Sequence, residues 1–171
     1  FYVQPQDADA IRNDGFTNVI PIEEIKTIDG ISIYRTTGHH GFGQIGQMMG
    51  PVSGYVLKAE GFPTVYIMGD CRWEACIRDT VERFNPDYIV VNSGGAIFPE
   101  FSKTDGPIIP DENEVMQILD ELPSHIKLIA VHMDAIDHCQ TTRAILRNEA
   151  THHEADMSRL IIPEDGETVV L

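Results

Sequence analysis

The rhythm of apolar and polar positions changes about a third of the way along the chain. Before that point it alternates in short runs. "EEIKTI" (23–28) and "ISIYRT" (31–36) read as two strands, with Asp29-Gly30 between them as a two-residue hairpin turn. "SGYVLKAE" (53–60) and "PTVYIMG" (63–69) make a second pair around Gly61-Phe62. Ahead of both, "DADAIRNDG" (7–15) has the start and stop signals of a short helix, with Asp7 near its N-cap and Gly15 past its end.

Further on, short β-branched runs alternate with helical periodicity. "TVYIM" (64–68), "DYIVVN" (87–92) and "IKLIAV" (126–131) are buried-type strands. Helices are predicted near 74–84, over 112–121 and over 140–150. Asn85-Pro86 ends the first, because proline pushes its predecessor out of the helical region. "DENE" from Asp111 has the form of a capping box for the second, and His138 and Cys139 open the third. A long loop carrying Gly94-Gly95 leads to Asp111. At the end, "RLII", the turn "PEDG" and "ETVVL" predict a closing hairpin. Strand–helix alternation after a hairpin-rich first third is an α/β pattern, a mixed sheet with flanking helices. With no internal repeat, low-complexity tract or linker, residues 1–171 read as one domain.

Charge narrows the partners. Lys and Arg number 12 against 27 Asp and Glu, a formal net charge of -15. That balance argues against nucleic acid, which requires a basic face, and against anionic membrane surfaces. No apolar run approaches the roughly 18 residues of a membrane span, and "FYVQPQDADA" is not a signal peptide. Cys71, Cys76 and Cys139 have neither disulfide nor zinc-finger spacing, so a reduced, cytoplasmic setting is expected. The first residue is Phe1 rather than Met, which raises the expectation of a fragment or a processed product.

Chemistry enters with "RTTGHHGFGQIG" (35–46). His40 lies four residues past the predicted strand end near Thr36. Asp70 lies two residues past the strand 64–68, and His132 directly follows the strand 126–131. Carboxyl ends of strands in α/β sheets gather on one edge, where ligands bind. Two neutral imidazoles and a carboxylate are good ligands for Zn²⁺ or Fe²⁺. Each residue also has a bland reading. His39-His40 could be a solvated loop, Asp70 a helix cap and His132 a hydrogen-bonded core histidine. Gly94-Gly95 lacks phosphate-loop spacing. Cys71 reads as a small packed residue, Trp73 as packing or a pocket wall, and His138 could reach the same edge as His132.

In these residues the chain resembles the second half of the metallo-β-lactamase superfamily. It is most similar to bacterial metal-dependent hydrolases related to the ascorbate-6-phosphate lactonase. "TTGHHG", "GPVSGYVLKAEGFPTVYIMGDCRW", "NPDYIVVNSGGA", "AVHMDAIDHC" and "PEDGETVVL" carry the likeness, collinear over nearly the whole chain. It implies an αββα sandwich of which this chain supplies mostly the second αβ half. It makes His40 the histidine of the third metal motif, in preference to His39. Asp70 becomes the carboxylate bridging two metals and the catalytic residue positioning the attacking water, and His132 the last ligand. His39 and His138 become outer or substrate-contacting residues. The family often has Thr where Cys71 stands.

The implied activity is metal-dependent hydrolysis of a small-molecule ester, lactone or phosphoester, with zinc as the first expectation and manganese or iron as alternatives. One departure is large: the family's first motif, His-x-His-x-Asp-His, does not occur in this sequence. The expectation is therefore a truncated form with an incomplete metal site, weak or inactive alone. Its alternative is a non-catalytic half-domain that self-associates to cover its exposed face, and a homo-oligomer is expected in either case. Substrate identity lies in pocket loops and is not legible.

Overall fold

A computed structural model describes residues 1–101 and 104–171. A short parallel pair, β1 (Tyr2–Val3) and β2 (Ile20–Pro21), brackets α1 (Ala8–Asn13). The main sheet follows chain order: β3 (Ile25–Ile28), β4 (Ile31–His39), β5 (Pro51–Lys58), β6 (Val65–Ile67), β7 (Tyr88–Asn92), β8 (Lys127–Val131) and β9 (Leu160–Ile161). Asp29 and Gly30 both take positive φ, 49° and 85°, as the predicted two-residue hairpin turn requires. Pairing is antiparallel from β3 to β6 and parallel from β6 to β9. Two antiparallel steps separate β4 from β6, so β4 points the same way as β6, β7 and β8. The α/β expectation with a mixed sheet holds.

Side chains alternate across the strands. Val56, Tyr66, Met68, Ile89, Val91, Leu128 and Ala130 turn to one face. There they meet the buried stripes of α3 (Ala75–Phe84), α4 (Glu112–Glu121) and α5 (Arg143–His152) in a single core. Their neighbours Tyr55, Leu57, Val65, Ile67 and Val90 turn to the opposite face and are half-buried or exposed.

Several local expectations change. Asp7 precedes α1 but does not cap it with its side chain, which accepts instead from Gln4 Nε2 at 2.9 Å. β4 runs on to His39, so His40 follows it directly. The glycine-rich stretch after it, where the sequence predicts no element, forms α2 (Gly43–Met49). Tertiary contacts override its low helix propensity: Ile45 is buried, its N–H donates to Asp105 Oδ2 at 2.9 Å, and Gly46 sits against the Gly41 carbonyl with no room for a Cβ. His138 and Cys139 do not open the last helix. Thr142 does, accepting from Ile145 N at 3.1 Å. The closing hairpin is absent among the described residues, where 167–171 pair with no strand. β9 joins β8 in parallel, and the segment after it is tied to α5 by Arg143 and Arg147.

Candidate functional site

Arg35, Tyr55, Ile67, Val90 and Ile129 lie side by side across the sheet. Measured from that row, His40 is five residues further along its chain direction, Asp70 and His132 three each, and Asn92 two. Because β4, β6, β7 and β8 share a direction, all four residues emerge at one edge, and each is partly buried.

Each candidate ligand is oriented by a partner. His40 Nδ1 stands 3.1 Å from the Ile108 carbonyl oxygen. A carbonyl only accepts, so Nδ1 carries a proton, and in the neutral ring Nε2 keeps its lone pair. Metal-binding histidines are commonly held in this way. Asp70 Oδ1 accepts from Asn92 Nδ2 at 2.7 Å. His132 takes a left-handed backbone conformation, φ 64°, as does Asp134, φ 60°. Non-glycine residues persist there only where surroundings hold them. Arg143 supplies the hold on Asp134, its backbone N–H and Nη1 donating to Asp134 Oδ2 at 3.0 and 2.9 Å. His132 Nδ1 lies 3.7 Å from Cys139 Sγ. Burial raises the Cys139 thiol above its ordinary pKa, and the Asp70 and Asp137 carboxylates raise it further. His132 thus sits beside Cys139, within electrostatic reach of Asp70. Cys139 shares a small apolar cluster with Ile108, the partner of His40.

This donor set fits a divalent ion in kind and falls short in number. Among the described residues, no three His, Cys, Asp or Glu side chains come close enough to hold an ion between them. His40, Asp70 and His132 share an edge without closing a shell.

The other sequence candidates are elsewhere engaged. The backbone N–H and Nδ1 of His39 meet Glu74 Oε1 at 2.8 and 2.9 Å. The two adjacent histidines therefore have different partners. His39 and Glu74 line a cavity of about 620 Å³ with Phe42 and several glycines. His138 stacks on Phe98, ring centroids 5.4 Å apart. Asp70 caps no helix: α3 has Glu74 at its N-cap, without a side-chain cap bond. Cys71 is fully buried and its thiol is pushed up to about 12 by burial, so it is a packed residue. Trp73 is both packing and wall. It is 7% exposed, lines a cavity of about 340 Å³, and donates Nε1 to Glu121 Oε2 at 2.7 Å.

Sequence reasoning missed Asn92, Glu74, and the part Ile108 and Cys139 play. A polar residue ending the apolar run "DYIVVN" was the available sign for Asn92. Among the described residues, no helix is long and apolar enough to cross a membrane.

No protein-family profile matches the chain. It is 31% identical over 170 residues to the UPF0173 protein YddR of Bacillus subtilis (strain 168), covering 98% of this chain and 64% of YddR. It is similar to the crystal structure of a possible metal-dependent hydrolase from Veillonella parvula, with 31% identity and TM-score 0.90 over 99% of this chain and 66% of that one. The isothiocyanate hydrolase from Delia radicum gut bacteria superposes with TM-score 0.89 and 34% identity, over the same shares of the two chains. The metallo-β-lactamase fold protein YhfI from Bacillus subtilis, 14% identical, superposes with TM-score 0.63 over 95% of this chain and 61% of its own. The chain has the metallo-β-lactamase fold. It spans 64% of the length of its curated relative YddR.

Proposed function

We propose that this chain carries part of the metal site of a metal-dependent hydrolase. Its ligands are His40 through Nε2, Asp70 through the oxygen that Asn92 leaves open, and His132. One observation supports the reading above all: residues from β4, β6 and β8 emerge at one edge, and the proton on His40 Nδ1 is committed to a backbone carbonyl. The likeness to a possible metal-dependent hydrolase and to an isothiocyanate hydrolase favours the same chemistry. Zinc is the ion we propose, with manganese or iron as alternatives suited to the same donors. Such an ion, when bound, supplies a Lewis acid and acidifies a bound water. The chain's own residues do the positioning. The open oxygen of Asp70 would accept a hydrogen bond from a water and so orient its lone pair, and the Asn92 amide on Oδ1 would keep that carboxylate from turning away.

The substrate class is a small molecule with an electrophilic centre open to water: an ester, a lactone, a phosphoester or an isothiocyanate. Placement in the ascorbate-6-phosphate lactonase branch, and in a cytoplasmic setting, rests on the sequence alone. His-x-His-x-Asp-His does not occur in these 171 residues. A full ligand set would then draw on groups outside them, and these residues by themselves bind metal weakly. A second reading, a non-catalytic half-domain that self-associates, is favoured by the apolar character of the open sheet face.

The test is to assay the purified 171-residue chain with added Zn²⁺ or Mn²⁺ against an ester, a lactone, a phosphodiester and an isothiocyanate. We expect slow metal-dependent turnover at most, lost in His40→Ala and Asp70→Ala. Robust turnover lost in both variants contradicts the incompleteness of the site. Metal-dependent turnover that survives both contradicts the site itself.

A further inference from the structure

Asn92 ends β7, the strand between those that lead to Asp70 and His132. Its side-chain amide donates to Asp70 Oδ1 at 2.7 Å, and an amide nitrogen only donates, so the direction of this bond is fixed. We infer that Asn92 is the positioning residue for Asp70, its amide engaging one carboxylate oxygen so that the other is presented to a metal. This rests on the reading of Asp70 as a ligand.

Which partner anchors the other follows from their surroundings. The chain at Asn92 is locked on both sides. Asn92 pairs with Val131 in the parallel ladder, and the next residue donates both its N–H and its Oγ to the Val131 carbonyl, at 2.8 and 3.0 Å. The Gly94 carbonyl accepts from Thr141 N at 2.9 Å, and Gly95 N donates to the Pro110 carbonyl at 2.9 Å. A Cβ at Gly94 would collide with the His132 carbonyl and stand 2.7 Å from Cys139 Sγ, so this backbone has no room to shift. The chain around Asp70 is braced as well, by buried Cys71 and by Arg72 N donating to the His39 carbonyl at 2.9 Å, but the Asp70 side chain is not: among the described residues its carboxylate makes no other hydrogen bond. With its backbone fixed in the β7–β8 ladder, Asn92 presents its amide as the one partner of the Asp70 carboxylate among the described residues, and the carboxylate takes its orientation from it. Outer partners of this kind typically contribute 10- to 100-fold in metal affinity.

The experiment titrates the chain with Zn²⁺ against a chromophoric competitor, and separately records the visible absorption of bound Co²⁺ and the urea midpoint without metal. The proteins are the unsubstituted chain, Asn92→Ala, Asn92→Asp and Asp70→Ala. Asn92→Asp keeps the size of the side chain and removes the donor. We expect both Asn92 variants to lose about 10- to 100-fold in Zn²⁺ affinity, to shift the Co²⁺ spectrum, and to keep the metal-free urea midpoint. Unchanged affinity and spectrum in both overturns the inference and leaves the Asp70 site standing. Affinity lost in step with the metal-free midpoint also overturns it, making Asn92 a brace of the fold. If the unsubstituted chain and Asp70→Ala bind Zn²⁺ alike, the reading of Asp70 as a ligand falls, and the inference with it.

Discussion

Trp73 and Arg78 both donate to one carboxylate, Glu121 Oε2, each at 2.7 Å, and Gln117 donates to its other oxygen at 2.8 Å. The Arg78 bond is the largest influence, then Gln117 and Trp73, and together they hold the Glu121 carboxyl down at about 2, from an ordinary 4.5. A carboxylate with a depressed folded pKa stabilises the fold above its unfolded pKa and loses that contribution as pH falls toward the folded value. The window here is pH 4.5 down to about 2. The urea midpoint should therefore fall more steeply across it in the unsubstituted chain than in Glu121→Gln, with parallel curves contradicting the role. At this scale the candidate ligands were legible because strand ends can be read from apolar runs. Their partners were not. Asn92 lies 22 residues from Asp70 and Ile108 lies 68 from His40, and one sequence carries no sign of pairings that only the sheet order creates.

At the scale of elements, α4 shows where a local signature is diverted by tertiary contacts. "DENE" predicts a reciprocal capping box, and half of it forms: Asp111 Oδ1 accepts from Glu114 N at 2.9 Å. Glu114 does not reach back. Its carboxylate takes Arg72 Nε and Trp73 N, both at 2.6 Å, bracing the loop that follows Asp70. Arg72 and Glu114 side chains are only 14% and 9% exposed, so removing one leaves the other buried and unpaired. Asp111→Ala should cost about 1 kcal/mol, and Glu114→Ala the larger ~3–5 kcal/mol of a broken buried pair, both read by urea denaturation. Equal costs would contradict the diversion. The hairpins and the three large helices follow from period and caps. α2 does not, because its glycines argue against a helix and only the burial of Ile45 and the bond from its N–H to Asp105 decide otherwise. The closing hairpin fails for the converse reason. "RLII" has the composition of a strand, but its place beside β8 is fixed by pairing that brings no partner to "ETVVL".

The whole molecule has two unlike faces. The helices bury one side of the sheet, while Ile67 is 37% exposed and Leu57, Val65 and Val90 are half-buried on the other. An open apolar face of this kind tends to find a partner. The net charge of -15 opposes close approach of two copies at low salt. Sedimentation at high micromolar concentration and physiological salt should show a dimer or larger species, which low salt weakens; a monomer under both conditions counts against self-association.

The central proposal is that His40, Asp70 and His132 each contribute to metal binding at the carboxyl edge of the sheet. X-ray absorption at the zinc edge tests it most directly, on the concentrated chain loaded with sub-stoichiometric Zn²⁺ and on His40→Ala and His132→Ala. The account predicts a nitrogen and oxygen shell at ~2.0–2.2 Å with imidazole scattering that drops by one ring in each variant. Spectra that stay the same in both variants, or a zinc–sulfur distance of ~2.3 Å that would make Cys139 a ligand, would contradict it.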